Sequence, residues 1–237
     1  MTTAAKTSIL VWDLPTRVFH WALAVSFVGA WLTAESERTR DLHVMLGYTV
    51  LGLIAFRLVW GFLGTRYARF AEFVRAPSAA TEYLGSLLAG QPQHHVGHNP
   101  AGALAIVLLL GLGIASGLSG WAVYEDVGGE WLEEVHELTS DAMLALVVVH
   151  IVAVVLSSLA HRENLVRAMV TGHKAGDAEA GIRRAHPILA VLVLAAVLGY
   201  WGLELADRPG PAARHAEAAA ELGPGQGDKA RQKDDDD

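Results

Sequence analysis

Apolar residues in this chain come in five long blocks, each close to the ~20 residues an α-helix needs to cross a bilayer. The first runs from about Leu14 to Thr33 and the second from about Leu42 to Leu63. The third begins at Asn99-Pro100 and continues to about Val123. The fourth runs from about Trp131 to Ala160 and the fifth from about Pro187 to Leu205. Asp13 before the first block and Pro15 in its first turn make a good helix start. The ten-residue alternation of membrane β-strands is not seen. The pattern predicts an all-α integral membrane bundle with five crossings.

The polar breaks orient it. Arg66, Arg69 and Arg75 lie between blocks two and three; Arg162, Arg167, Lys174, Arg183 and Arg184 lie between blocks four and five. Lys6 and Arg17 flank the start of the first block. The break Tyr124 to Glu130 is acidic and has neither lysine nor arginine. Basic loops stay inside, so the N-terminus is expected in the cytoplasm and the C-terminal tail outside. The short break ESERTRD, with Arg38 and Arg40, is the one mixed loop. Two basic loops against one without bases decide the direction.

Four histidines then acquire depths. His136 and His150 are fourteen residues apart on one helix. Fourteen steps of about 100° end about 40° short of four turns, with a rise of roughly 21 Å. Both imidazoles therefore face one side at two levels, His136 outer and His150 inner. His20, near the start of span one, is inner, and His43, at the start of span two, is outer. The level pairs are His20 with His150 and His43 with His136; His20 and His43 sit at opposite ends of antiparallel helices. Imidazoles inside a membrane are costly and mark function by default. A lone one makes a plain interhelical hydrogen bond about as often, but four at matched depths point to bound metal centres.

Composition narrows the chemistry. The chain has 237 residues, 52% of them hydrophobic, and a mean hydropathy of +0.33. The net charge of −7 says little about partners, because five acidic residues fall in the last ten positions. The run Lys233 to Asp237 is read as an appended terminus and set aside. No cleavable signal peptide is read in the first span. The sequence has no cysteine, which excludes cysteine-ligated iron–sulfur clusters, covalent c-type haem, thiol catalysis and disulfides. Zinc wants four ligands and each level offers two; bare copper or iron also wants more. Two axial imidazoles suit a six-coordinate b-type haem, which favours electron transfer over oxygen activation.

Other residues support this reading less sharply. Arg57, fourteen residues after His43, and Arg17, one turn before His20, are candidates for haem carboxylates. Snorkelling to the cytoplasmic surface is the alternative, of equal weight for Arg17 and of less weight for Arg57. Gly47 and Gly52, with Gly102, Gly111, Gly113, Gly117 and Gly120 in span three, give room to a neighbouring helix or to a flat macrocycle. His98 is assigned to capping at the mouth of span three, with a place near a quinone as the sharper alternative. His94, His95, His161, His173 and His215 are expected in solvated loops or the tail. The tryptophans, among them Trp12, Trp121 and Trp131, suit an interfacial belt.

The segments VWDLPTRVFHW, LHVMLGYTVLGLIAFRLVWGFLG followed by RYARF, GHNPAGA and EVHELTSDAMLALVVVHIVAV carry a family resemblance. Over about Val11 to Gly172 the chain resembles the prokaryotic di-haem membrane cytochrome b family. That family includes the b-type cytochrome subunit of nickel–iron hydrogenases and the bacterial b-five-sixty-one relatives. The resemblance implies a four-helix core holding two b haems, with His20, His43, His136 and His150 matching the axial ligands. It implies electron exchange between a quinone pool and a redox partner. The expected organisation is a di-haem domain over residues 1–172, a basic cytoplasmic loop with the fifth helix over 173–206, and a charged external tail over 207–237. The fifth span and the tail depart from the four-span pattern and point to an external partner, a c-type cytochrome or a hydrogenase-like complex.

The leading expectation is thus a quinone-linked electron-transfer subunit rather than a free-standing enzyme, in the bacterial inner membrane, with no nucleic-acid partner. A stand-alone oxidase of external superoxide would need a basic outer surface to steer an anion; the outer loop is acidic. A histidine-based metal or ion transporter would need acidic groups within the spans, where Asp141 is the main exception.

Overall fold

A computed structural model describes residues 7–91 and 93–207. Within it the expected spans are helices whose ends fall within a few residues of the sequence reading. They are α1 (Leu14–Leu32), α2 (Arg40–Leu63), α5 (Pro100–Tyr124), α6 (Trp131–His161) and α8 (Pro187–Ala206). Local chemistry explains the starts. The Asp13 carboxylate accepts from the Thr16 N–H at 2.8 Å, and the Asn99 side chain accepts from the Gly102 N–H at 2.7 Å. Each satisfies a donor that the first turn leaves unpaired.

The segments read as loops hold more structure than the hydrophobic pattern shows. Between α2 and α5 lie the short helix α3 (Phe70–Phe73) and the helix α4 (Pro77–Leu88). Between α6 and α8 lie α7 (Leu165–Thr171) and the strand β2 (His173–Gly176). β2 pairs antiparallel with β1 (Thr7–Leu10), in the register Thr7 to Gly176 and Leu10 to His173. The Gly172 carbonyl takes both the Val11 and the Trp12 N–H, at 2.8 and 3.0 Å. Gly172 ends α7 at φ +84°, and a Cβ there would lie 2.7 Å from the Trp12 carbonyl oxygen. Only glycine meets both demands.

These pairings gather the N-terminal segment, the 64–99 connection and the 162–186 connection at one end of the bundle. Ile9, Val11, Trp12, Tyr67 and Ala168 form a buried cluster there. The Tyr67 hydroxyl donates to the Ala180 carbonyl at 2.7 Å. Lys174, buried, pairs with Glu163 at 3.1 Å and donates to the His95 carbonyl at 3.2 Å. All the basic loops therefore lie on one side of the bundle.

Among the long helices α1 packs on α2, α2 on α5 and α5 on α6. Small residues bring them close, as in membrane bundles. A Cβ at Gly29 would lie 2.8 Å from Leu46, one at Gly113 2.5 Å from Ile54, and one at Gly117 2.9 Å from Leu51. The core of this contact is Val50, Ile54 and Leu110. Among the described residues, four helices are long and apolar enough to cross a membrane: α2 with the turn before it, α5, α6 and α8. α1, with 19 residues, falls short of their apolarity because Arg17 and His20 occupy its first two turns. The chain divides after Val197 into two units. In the second, Leu198 to Ala206 continues α8 and exposes Leu203 and Leu205. The tail 208–237, and with it His215, lies outside the described residues, as does Lys6.

Candidate functional site

The four histidines assigned to the spans fall on three helices at two levels. His43 stands in the first turn of α2, and His136 in the second turn of α6. Their ring centroids are 6.1 Å apart and their planes 85° apart. Each ring is held from behind. His43 Nδ1 donates to the Ala30 carbonyl at 2.8 Å, and His136 Nδ1 donates to the Ser116 carbonyl at 2.8 Å. A carbonyl only accepts, so Nδ1 carries the bonded proton in both rings and Nε2 is the nitrogen left for a metal. That is the tautomer of a metal-ligating imidazole with a second hydrogen bond that orients it. Imidazole–metal bonds run about 2 Å, with the ring centre roughly an ångström further back, so two rings on one metal stand about 6 Å apart. The pair meets that spacing. The residues present therefore fit a bis-imidazole metal centre.

The anchors explain the placement. Ala30 lies in the last turn of α1, where its carbonyl also takes the Thr33 N–H at 3.2 Å and the Thr33 hydroxyl at 3.1 Å and has no i+4 helical donor. Ser116 lies mid-helix in α5, and its carbonyl is reachable because Gly120, one turn on, has no side chain. A Cβ at Gly120 would lie 2.7 Å from Cε1 and 2.8 Å from Nδ1 of His136. The Ser116 and Ser140 hydroxyls bond across α5 and α6 at 2.7 Å and lock the two helices at this level. A Cβ at Gly47, one turn after His43, meets nothing within 4 Å, nor does one at Gly52 or Gly111. The glycines thus divide. Gly113 and Gly117 serve helix contact, Gly120 serves a histidine, and Gly47 leaves open space beside His43.

The second pair is His20 on α1 and His150 on α6. They lie within electrostatic reach of each other. His20 Nδ1 is buried without a hydrogen-bond partner among the described residues, and Trp21 packs edge-on against the ring at 5.1 Å. Among the long helices α6 packs extensively only on α5.

Arg57 is 3% exposed, with its guanidinium over the Phe70 ring at 4.8 Å. Its Nη1 is buried and unpartnered. Snorkelling does not describe it. Arg17 donates to the Val170 carbonyl, and its Nε is buried without a partner. Each arginine keeps a buried donor without a partner, which suits a carboxylate.

His98 departs from the capping role, which Asn99 takes alone. Its ring sits between Trp12 and Phe73, at 4.5 Å from each. Burial, then the nearby Arg57, pushes its pKa down to about 3, so it is neutral at ordinary pH. It lines a cavity of about 350 Å³ with Arg66, Tyr67, Phe73 and His95. His161 is the last residue of α6 rather than a loop residue, and its Nδ1 donates to the Ser157 carbonyl at 2.9 Å. His186 precedes Pro187 at φ 52°, with its ring on Trp60 at 5.4 Å. Among the described residues no three His, Asp or Glu side chains converge as a bare metal ion would need.

Residues 11–172 match the family model described as prokaryotic cytochrome b561. The chain belongs to the prokaryotic cytochrome b561 family. A Rhodobacter capsulatus protein named probable Ni/Fe-hydrogenase B-type cytochrome subunit is 24% identical over 215 residues, covering 71% of this chain and 82% of the relative. Proteins of the same name from Azotobacter vinelandii and Rhizobium leguminosarum are 25% and 23% identical, covering 88% and 90% of their own lengths. No solved structure matches. Membership makes the chain a helical membrane protein and a b-type cytochrome, hence a haem b protein of membrane electron transfer.

Proposed function

We propose that this cytochrome is a di-haem carrier that moves electrons across the membrane between the quinone pool and an external redox partner. The observation that carries the reading is the outer pair: two imidazoles at bis-ligand spacing, each fixed by a carbonyl in the tautomer that frees Nε2. His43 and His136 hold the outer haem, and His20 and His150 the inner one. Bound there, haem supplies one-electron iron chemistry with both axial positions filled. The protein's part is ligation, orientation and a low dielectric. Arg57 and Arg17 turn their spare donors to haem carboxylates at the inner level.

α1, packed on α2, crosses with the four more apolar helices. The basic loops gathered at one end support a topology with that end and the N-terminus in the cytoplasm of a bacterial inner membrane and the C-terminus in the periplasm. A quinone headgroup exchanges electrons with the inner haem from the cavity beside His98. At the outer end the partner is a hydrogenase-type complex, as the names of the relatives suggest, with a c-type cytochrome as the other external candidate. In such an assembly the chain is the quinone-linked subunit rather than a free-standing enzyme.

Reduced-minus-oxidised spectra and pyridine haemochrome titration of the purified chain are expected to give two haem b per polypeptide. A protein without a Soret band, or with a single haem at full loading, rules the reading out. Gly120→Ala is expected to drive the His136 ring off the Ser116 carbonyl and to lower the outer haem content at least severalfold. The inner haem should stay. An unchanged spectrum and haem count in this variant would mean that Gly120 has no part in seating His136.

A further inference from the structure

We propose that α4 is an interfacial helix, seated in the cytoplasmic face of the bilayer with Leu84 and Leu88 among the lipid acyl chains. The inference rests on the inside placement of the basic loops and is independent of how many haems the chain holds.

Three sectors run along α4. At about 100° per residue, Ala79, Ala80, Tyr83, Ser86 and Leu87 share one side, and this is the side that is buried or half-buried. It packs on α5. A second sector carries Leu84 and Leu88, 49% and 91% exposed, with Pro77 and Thr81. A third, also exposed, carries Ser78, Glu82, Gly85 and Ala89. A helix at a water boundary needs two sectors, one apolar and one polar. One that also leans on a protein wall at a membrane surface needs three: protein beside it, lipid below and water above.

The depth of the helix agrees. The Tyr83 ring stacks on His161, with centroids 6.4 Å apart and planes within 8°. His161 ends α6, whose outward residues Val155, Leu156 and Leu159 are 49%, 60% and 70% exposed. The lipid-facing belt of α6 thus stops at the level where Tyr83 sits. Leu84 follows Tyr83 directly, and Leu88 lies one turn further. Seated there, their apolar edge would extend the lipid-facing surface of the bundle at the depth where amphipathic helices settle. Tyr83 also meets the His95 ring, edge-on at 5.7 Å. Seating α4 in the leaflet therefore ties the wall of the His98 cavity to the membrane surface.

The sequence has no cysteine, so single cysteines report cleanly. Leu84→Cys, Leu88→Cys, Ser78→Cys and Glu82→Cys would each be labelled with a nitroxide and reconstituted in phosphatidylcholine–phosphatidylglycerol vesicles. Retention of the b-type spectrum checks folding, and two positions per sector keep the comparison if one variant fails. Labels at 84 and 88 are expected to favour collision with oxygen over a water-soluble nickel chelate severalfold, and labels at 78 and 82 the reverse. Equal chelate access at all four positions would overturn the proposal, as would exclusion of both reagents from 84 and 88, which marks a protein partner. A changed haem count would bear on the redox reading and leave this pattern untouched.

Discussion

Replacing His136 by alanine is expected to remove one haem b per chain and leave the other in place, halving the haemochrome yield per polypeptide. The loss should be nearly complete because nothing replaces the imidazole. The chain has no cysteine, and His136 is held by the Ser116 carbonyl at a site that Gly120 opens for it alone. The helix itself should persist, since α6 remains packed on α5 and the Ser116–Ser140 hydrogen bond does not involve the ring. His43→Ala is expected to give the same spectrum as His136→Ala, and His20→Ala the same as His150→Ala. The pairing fails if the His43 variant instead matches the His150 variant. Low-temperature α-band spectra of the four variants, with haem counted per chain, decide between these outcomes.

Asp13→Ala is expected to cost about 2–4 kcal/mol of stability, because it removes a helix cap and leaves a buried donor unsatisfied. Asp13 is 1% exposed. Its carboxylate accepts from the Thr16 N–H at 2.8 Å, the Thr65 hydroxyl at 2.6 Å and the Trp60 indole at 3.2 Å. It also lies within electrostatic reach of buried Arg57. Alanine removes the α1 cap, alone worth about 1 kcal/mol, and leaves the indole N–H buried without an acceptor. These losses share one network and do not add. Asp13→Asn keeps an acceptor for the cap and should fall between wild type and alanine. Unfolding midpoints in detergent, followed by far-ultraviolet circular dichroism and by haem release, measure the order. An alanine variant as stable as wild type would show that the network contributes nothing.

The two variants probe different kinds of legibility. Asp13 was readable as a helix start from its place before Leu14-Pro15, because capping depends on a few neighbouring residues. Its contacts with Trp60 and Thr65, across about fifty positions, carry no local signal. His98 shows the same limit: GHNP reads as a cap, yet Asn99 caps alone and His98 is enclosed by Trp12 and Phe73. α4 was hidden for another reason. Only part of its circumference is apolar, so it blends into a polar loop unless the packed face is known.

The sequence by itself determined the number and ends of the long helices, the two levels on α6, and the sign of the loops. These follow from residue period, capping and charge, all properties of neighbours along the chain. Only the tertiary structure decided that Ala30 and Ser116 supply the carbonyls, that Gly120 is the glycine clearing room for His136, and that β1 pairs with β2. Each of these is a relation between separate elements. The second hydrogen bond of an imidazole depends on which carbonyl a neighbouring helix presents, and spacing within one helix does not contain that.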